Sequence, residues 1–322
     1  MPVNRLPLKI GTRGSPLALY QAHAVAAALR QTDPALDRDE AFEIVVIRTS
    51  GDRIQDRRLA EIGGKALFTQ EIERALTAGE IDLAVHSAKD VETELTPGSL
   101  LAAVLPRADR RDAFIAPQYG SIANLPQGGT VGTASLRRQA QLLRLRPDLK
   151  VVLFRGNVET RLRKLADGDV DATFLAAAGL QRLGKEEAIT ALLEPAEMMP
   201  AAGQGAIVVQ ARESNPALLA LLAQITHTSS AAEVRAERAV LASLGGSCDT
   251  PVGVMAVSDP SDSLNVSAVI LRPDGSRVWR ASASGSMADA ESLGTEVGTS
   301  LAKQCDPDLL IPASGASTGP DR

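Results

Sequence analysis

The sequence predicts a multidomain α/β protein: two similar lobes on mixed, mainly parallel sheets, followed by a small α+β unit. Three observations lead there. Strand-length apolar runs alternate with helix-period segments through the first two thirds of the chain, the pattern of helices packed on a largely parallel sheet. The pattern then partly repeats. Ile10-Gly11-Thr12-Arg13-Gly14-Ser15 is echoed by Val131-Gly132-Thr133-Ala134-Ser135, and Ala78-Gly79-Glu80-Ile81-Asp82-Leu83 by Asp167-Gly168-Asp169-Val170-Asp171-Ala172. Finally, beyond about Thr226 the alternation gives way to one long helix pattern and a hairpin signal. A chain of 322 residues also exceeds a single ordinary core. The expected division is residues 1–105 with 203–226, residues 106–202, and residues 227–322.

Each element has its own warrant. Lys9 to Thr12 reads as a short strand; Ser15 then suits a helix N-cap and Pro16 a first helical residue. Leu19, Ala22, Ala26 and Leu29 recur at helical spacing. Phe42 to Ile47 reads as a buried strand. Leu67 to Ala78 predicts a helix with Phe68, Ile72, Ala75 and Leu76 on one face, ended by Gly79. Ile81 to Val85 is a strand whose carboxyl end opens into His86-Ser87-Ala88-Lys89-Asp90, the end at which parallel sheets bind ligands. Pro106 to Asp112 reads as the crossing into the second lobe and Pro200 to Gln204 as the return. Ala206 to Ala211 would then complete the first sheet. Ser230 to Leu244 is a helix, Gly245 to Cys248 a turn, and Val252 to Val257 a strand. Pro273-Asp274-Gly275 is a hairpin turn between Asn265–Leu271 and Arg277–Ala281, and Asp289 to Cys305 a closing helix. Ser314 to Arg322 reads as a frayed tail.

Composition narrows the function. No apolar run approaches the ~20 residues that cross a bilayer, and Met1 to Leu8 lacks the pattern of a secretory signal, so the expected compartment is the cytoplasm. Two separated cysteines, Cys248 and Cys305, exclude a disulfide framework, and three scattered histidines offer no metal centre. A net charge of −5 argues against nucleic acid. Yet 27 of the 34 cationic side chains are arginines, whose planar fork suits carboxylates and phosphates. A GC-rich genome would give the same bias, so placement decides.

Placement is informative. Arg13 follows the first strand, Arg137 and Arg138 fall in the first turn of a helix capped by Thr133 or Ser135, Arg155 follows the strand Val151–Phe154, and Arg161 lies one turn into the next helix. Cations in a first turn oppose the helix dipole and cost roughly a few tenths of a kcal/mol each. Five at equivalent positions point to a gathered anion site, aided by free helix-end N–H groups. Asp90, at a strand's carboxyl end among cations, would stay ionised and could stabilise a cationic intermediate or relay protons. His86 alone reads as a hydrogen-bonded structural histidine. Cys305 reads as a buried inert thiol. Cys248, in a Gly-Gly-Ser-Cys-Asp turn with room around it, is as compatible with a nucleophile as with an inert thiol.

In order, Thr12-Arg13-Gly14-Ser15-Pro16-Leu17-Ala18-Leu19, Gly63-Gly64-Lys65-Ala66-Leu67-Phe68, Val85-His86-Ser87-Ala88-Lys89-Asp90, Gly132-Thr133-Ala134-Ser135-Leu136-Arg137-Arg138, Arg155-Gly156-Asn157 with Thr160-Arg161, Gly203-Gln204-Gly205 and Gly246-Ser247-Cys248 closely resemble the porphobilinogen deaminase (hydroxymethylbilane synthase) family. The resemblance covers nearly the whole chain. It implies two periplasmic-binding-protein-like lobes and a small third domain, in a monomeric cytoplasmic enzyme. It implies a dipyrromethane cofactor held by a thioether to Cys248, with Lys89, Asp90, Ser135, Arg137, Arg138, Arg155 and Gly156 around it. The implied reaction couples four porphobilinogen molecules head to tail with loss of ammonia, Asp90 being the catalytic carboxylate. Arg13, Ser15, Gln21, Lys65, Ser87, Thr133, Arg155, Arg161 and Arg182 would bind substrate; no metal, nucleic acid or membrane is implied. Glu61 stands where some relatives carry a lysine. Two other readings fit parts of the pattern. A non-catalytic solute-binding protein shares the two-lobed architecture, and a cysteine hydrolase would need a histidine near Cys248, where only His227 is close in sequence.

Overall fold

The computed structural model describes residues 6–53, 69–245 and 250–310. The first lobe opens with β1 (Leu8–Thr12) and α1 (Pro16–Arg30). Ser15 caps α1 by accepting a hydrogen bond from the Ala18 N–H, and Ala22, Val25, Ala26 and Leu29 form the buried face. β2 (Phe42–Val46), the single turn α2 (Ser50–Arg53), α3 (Gln70–Thr77), β3 (Leu83–Ser87) and β4 (Ser99–Val104) follow. The chain then crosses over. β5 (Asp112–Ile115), β6 (Thr130–Gly132), α4 (Leu136–Leu145), β7 (Lys150–Val152), α5 (Val158–Ala166), β8 (Ala172–Ala176), α6 (Ala177–Arg182) and β9 (Ala191–Leu193) build the second lobe. It returns with β10 (Ile207–Arg212) and α7 (Pro216–Gln224). The last unit comprises α8 (Thr228–Ser243), β11 (Val252–Ser258), β12 (Ser263–Leu271), β13 (Val278–Ser286) and α9 (Ala290–Gln304).

The two large sheets share one plan. Their strand orders are β2-β1-β3-β10-β4 and β7-β6-β8-β5-β9. In each, three parallel strands are followed by one antiparallel strand, β10 or β5, placed between β3 and β4 or between β8 and β9. That strand is in both cases the first after a crossing. The sequence echo is reproduced bond for bond. The Lys9 N–H donates to the Asp82 carboxylate at 2.8 Å and the Thr130 N–H to that of Asp171 at 2.7 Å. The Asp82 and Asp171 N–H groups donate back to the Lys9 and Thr130 carbonyls, both at 2.9 Å. Each aspartate thus pins the start of its lobe's first parallel strand to that of the third.

The first core joins Leu8, Ile10, Leu83, Val85 and Val209 to α1 and α7. The second centres on Phe114 and Phe174, with ring centroids 5.6 Å apart. In the last unit α8 and α9 pack on the antiparallel sheet β11-β12-β13. The mixed, mainly parallel α/β class is therefore as expected. One element differs. β2 is an edge strand, not a buried one, because among the described residues only β1 pairs with it, and Val46 is 53% exposed. Strands β4, β5 and β9 and helices α6 and α7 add to the elements anticipated.

The two crossing segments lie side by side. Leu105 and Ala108 N–H groups donate to the Ile207 and Gly205 carbonyls at 3.1 and 3.2 Å. Arg107 forks onto both oxygens of Glu237 on α8 at 2.9 Å each, and Glu237 also accepts the Gly203 and Ala256 N–H groups. Arg110 pairs with Glu233 at 3.0 Å. One buried ionic knot therefore ties both crossings to the last unit.

Candidate active site

The carboxyl ends of β3, β6 and β7, and the helices after β6 and β7, carry the residues of one charged cluster. From the first lobe, β3 runs into a one-turn 3-10 helix, Ala88–Asp90, which delivers Lys89 and Asp90. Beside it lies a cavity lined by Arg13, Ser15, Leu17, Ala18, Gln21, Thr69, Val85, His86, Ser87 and Asp90. The Gln21 amide donates to the Ser87 hydroxyl at 2.7 Å, locking α1 to the end of β3. His86 is buried here. Desolvation, with a smaller push from the Arg13 charge, lowers its pKa to about 4, so the ring stays neutral.

From the second lobe, Ser135 caps α4 by accepting the Arg138 N–H, and the Thr133 hydroxyl accepts the Ser135 N–H. This sets Arg137 and Arg138 in the first turn. Asn157 caps α5 in the same way. Gly156, at φ +128°, turns the chain so that its carbonyl accepts the Arg161 guanidinium at 2.9 Å. Arg155 is buried beside it.

These groups meet. The charges of Asp90, Arg138, Asp112 and Arg137 all act on Lys89, and those of Arg138, Arg155 and Asp90 on Arg161. Burial lowers the Lys89 pKa to about 8, the Asp90 carboxylate offsetting part of the fall. Burial, then Arg138 and Arg155, brings Arg161 to about 10. A site that holds cations against such desolvation and mutual repulsion is built for anions.

One residue was not foreseen. Asp112, at the start of β5, is fully buried and holds both guanidiniums, Arg137 at 2.6 Å and Arg138 at 2.6 and 3.0 Å. Its pKa is held far below the carboxylate range by these two arginines against the opposing effect of burial. The only sequence hint was an acid at the mouth of the apolar run Ala113-Phe114-Ile115. Arg137 also donates to the Met199 carbonyl at 2.7 Å, and Arg138 to the Phe174 carbonyl at 2.9 Å. Even so, the buried Arg137 Nε has no acceptor among the described residues.

Arg182 donates to the Gly205 carbonyl at 2.7 Å, near Tyr20. Lys65, Glu61, Phe68 and Cys248 lie outside the described residues. Cys305 is a buried core thiol, its pKa raised by burial. Among the described residues no three His, Cys, Asp or Glu side chains gather as a metal site requires.

Fold and site together define a two-lobed α/β protein with a cation-rich cluster where residues of both lobes meet, Asp90 among them. The family model described as "Porphobilinogen deaminase, dipyromethane cofactor binding domain" matches residues 8–220, and "Porphobilinogen deaminase, C-terminal domain" matches residues 231–303. The chain belongs to the porphobilinogen deaminase family. A porphobilinogen deaminase of Paracoccus denitrificans is 51% identical over 96% of this chain and 98% of its own length. One from Nitrobacter winogradskyi is 48% identical over 95% and 96%. Among solved structures, the BvgS VFT2 domain of Bordetella pertussis is matched at TM-score 0.40 and 17% identity, over 68% of this chain and 85% of that chain.

Proposed function

We propose that the cation-rich cleft is where this enzyme joins its substrate units. As a member of its family the chain is a deaminating transferase of tetrapyrrole biosynthesis. It condenses four porphobilinogen molecules head to tail, with loss of ammonia, to give hydroxymethylbilane. The observation that carries the site reading is the gathering of the desolvated cations Lys89, Arg138, Arg155 and Arg161 around the Asp90 carboxylate.

Each pyrrole ring bears an acetate and a propionate, so a growing chain presents many carboxylates. The buried Arg137 Nε, unpaired among the described residues, and the crowded guanidiniums fit such a ligand. They fit the dipyrromethane group equally, for the same reason. Lys89, Asp90, Ser135, Arg137, Arg138, Arg155 and Gly156 would hold it, with Cys248 as the thioether donor. When bound, it supplies the fixed pyrrole end to which the first substrate is joined. Arg13, Ser15, Gln21, Ser87, Thr133 and Arg161 would receive the substrate's carboxylates, with Lys65 and Arg182 closing that shell. Loss of ammonia from porphobilinogen leaves positive charge on its methylene-pyrrole. The Asp90 carboxylate would stabilise that charge as it develops and take up the proton lost when the new bond forms. Neutral His86 would stay a structural neighbour.

The division that suits this chemistry is residues 1–105 with 203–226, residues 106–202, and residues 227–322, working as a cytoplasmic monomer. Among the described residues no helix is long and apolar enough to cross a membrane. Intact-mass measurement tests the reading. The purified chain should exceed its sequence mass by one dipyrromethane, and Cys248→Ser should lack both the added mass and product formation. An adduct or normal turnover in Cys248→Ser would reject Cys248 as the anchor.

A further inference from the structure

The hairpin turn between β12 and β13 lies against the helix that carries Arg137 and Arg138. Gly275, at φ +75°, occupies the turn. A Cβ there would fall against the Arg144 backbone nitrogen, 2.6 Å from the Ala140 carbonyl oxygen and 2.8 Å from the Leu143 carbonyl carbon. These are helix backbone atoms, which cannot swing aside as a side chain can. The Gln139 amide donates to the Pro273 carbonyl at 3.3 Å, and Val269, Leu271 and Val278 pack on Ala140 and Met199 beneath.

A second close approach lies nearby. Gly253 of β11 faces Met199, and a Cβ there would come within 2.8 Å of the Met199 Cβ and 2.9 Å of its carbonyl oxygen. That oxygen accepts Arg137. The Met199 backbone is also gripped by Gln141, whose Oε1 accepts the Met199 N–H at 2.7 Å and whose amide donates to the Met199 carbonyl at 3.1 Å. The last unit thus touches the second lobe at the helix that carries Arg137 and at the carbonyl that orients it.

We infer that the β12–β13 turn is a seat for α4, and that Gly275 is a positioning residue setting Arg137 and Arg138 in the cleft. This rests on the reading that those arginines receive the carboxylates of the pyrrole chain. A side chain at position 275 pushes α4 off its seat and moves both guanidiniums relative to Lys89 and Arg161, without touching the cleft.

The test compares Gly275→Asn with Gly168→Asn. Gly168 also has positive φ, +83°, but no described residue lies within 4 Å of its would-be Cβ. Asparagine tolerates left-handed backbone, so the pair isolates the contact from the strain. KM and kcat for porphobilinogen would be measured, with loading by intact mass, and Arg137→Leu alongside. Gly275→Asn should raise KM by about threefold or more, as small misplacements of binding groups do, while Gly168→Asn keeps the wild-type KM. A merely structural role would lower the active fraction and leave KM unchanged. If Gly275→Asn matches Gly168→Asn in KM while Arg137→Leu raises it, the seat is refuted and the cleft reading stands. If Arg137→Leu itself leaves KM unchanged, the cleft reading falls and this inference with it. Should Gly275→Asn not be recovered folded, Val278→Ala loosens the same contact. A raised KM there supports the seat, and a wild-type KM overturns it.

Discussion

Lys89 keeps its ammonium where burial disfavours one, and its neighbours tell why it survives. Asp90 and Asp112 favour the charge, while Arg138 and Arg137 oppose it, and the balance leaves a pKa of about 8. The sign is direct. Below about 8 Lys89 is charged and can hold a carboxylate; above it the proton leaves and that contact weakens. KM for porphobilinogen should therefore rise as pH climbs past about 8, and Lys89→Met should raise KM at pH 7 and flatten that limb. An identical alkaline limb in Lys89→Met would assign it to another group. His86, neutral above about 4, should contribute no inflection near 6.5. Asp90 acts differently, because its charge is needed most when positive charge develops on the substrate. Asp90→Asn should keep the fold and KM while kcat falls more than tenfold, a loss above ~1.4 kcal/mol; Asp90→Glu should retain a small misplaced activity. An Asn variant turning over at more than about a tenth of the wild-type rate would remove Asp90 from the principal role. Cys305→Ser, in the core of the last unit, should leave activity unchanged in the same assay.

Helix α4 shows how one element joins packing to chemistry. Its Ser135 cap, the arginines of its first turn and their position past a strand end were legible in sequence, because capping and strand–helix alternation are local signals. What the arginines bond to was not. Asp112 is separated from them by two strands' worth of chain, and only the antiparallel placement of β5 beside β8 brings it under the guanidiniums. The same limit explains β2, whose apolar residues read as buried while its single partner left it at an edge. Asp112→Asn should test the element directly. Breaking a buried ionic pair strands its cations and costs about 3–5 kcal/mol. Urea unfolding should show a loss of that order, and the retained enzyme should bind porphobilinogen less well. A loss under about 1 kcal/mol would mean that Arg137 and Arg138 reach solvent or another acid when Asp112 is neutral.

At the scale of the whole molecule, Glu237 joins three separate segments of the chain. It neutralises Arg107, accepts the Gly203 N–H from the return crossing, and accepts the Ala256 N–H from β11. Glu237→Ala would leave Arg107 buried without that partner and free two backbone donors. The expected destabilisation is about 3–5 kcal/mol, seen as a lower midpoint in urea; an unchanged midpoint would show that the knot does not hold the units together. The two-lobed architecture was readable from the repeated strand–helix pattern, whereas this knot was not, since its arginines and glutamates stand more than a hundred residues apart. The crossings have one more consequence, for how the chain is made. Strand β10 lies between β3 and β4, so the first sheet stays divided until residue 212 has been synthesised. The second sheet takes all five of its strands from the uninterrupted stretch 112–193. On the ribosome the usual N-to-C order of domain completion should therefore be inverted. The later lobe can close first, and the amino-terminal lobe waits, with β4 lacking its neighbour, until the returning strand fills the gap.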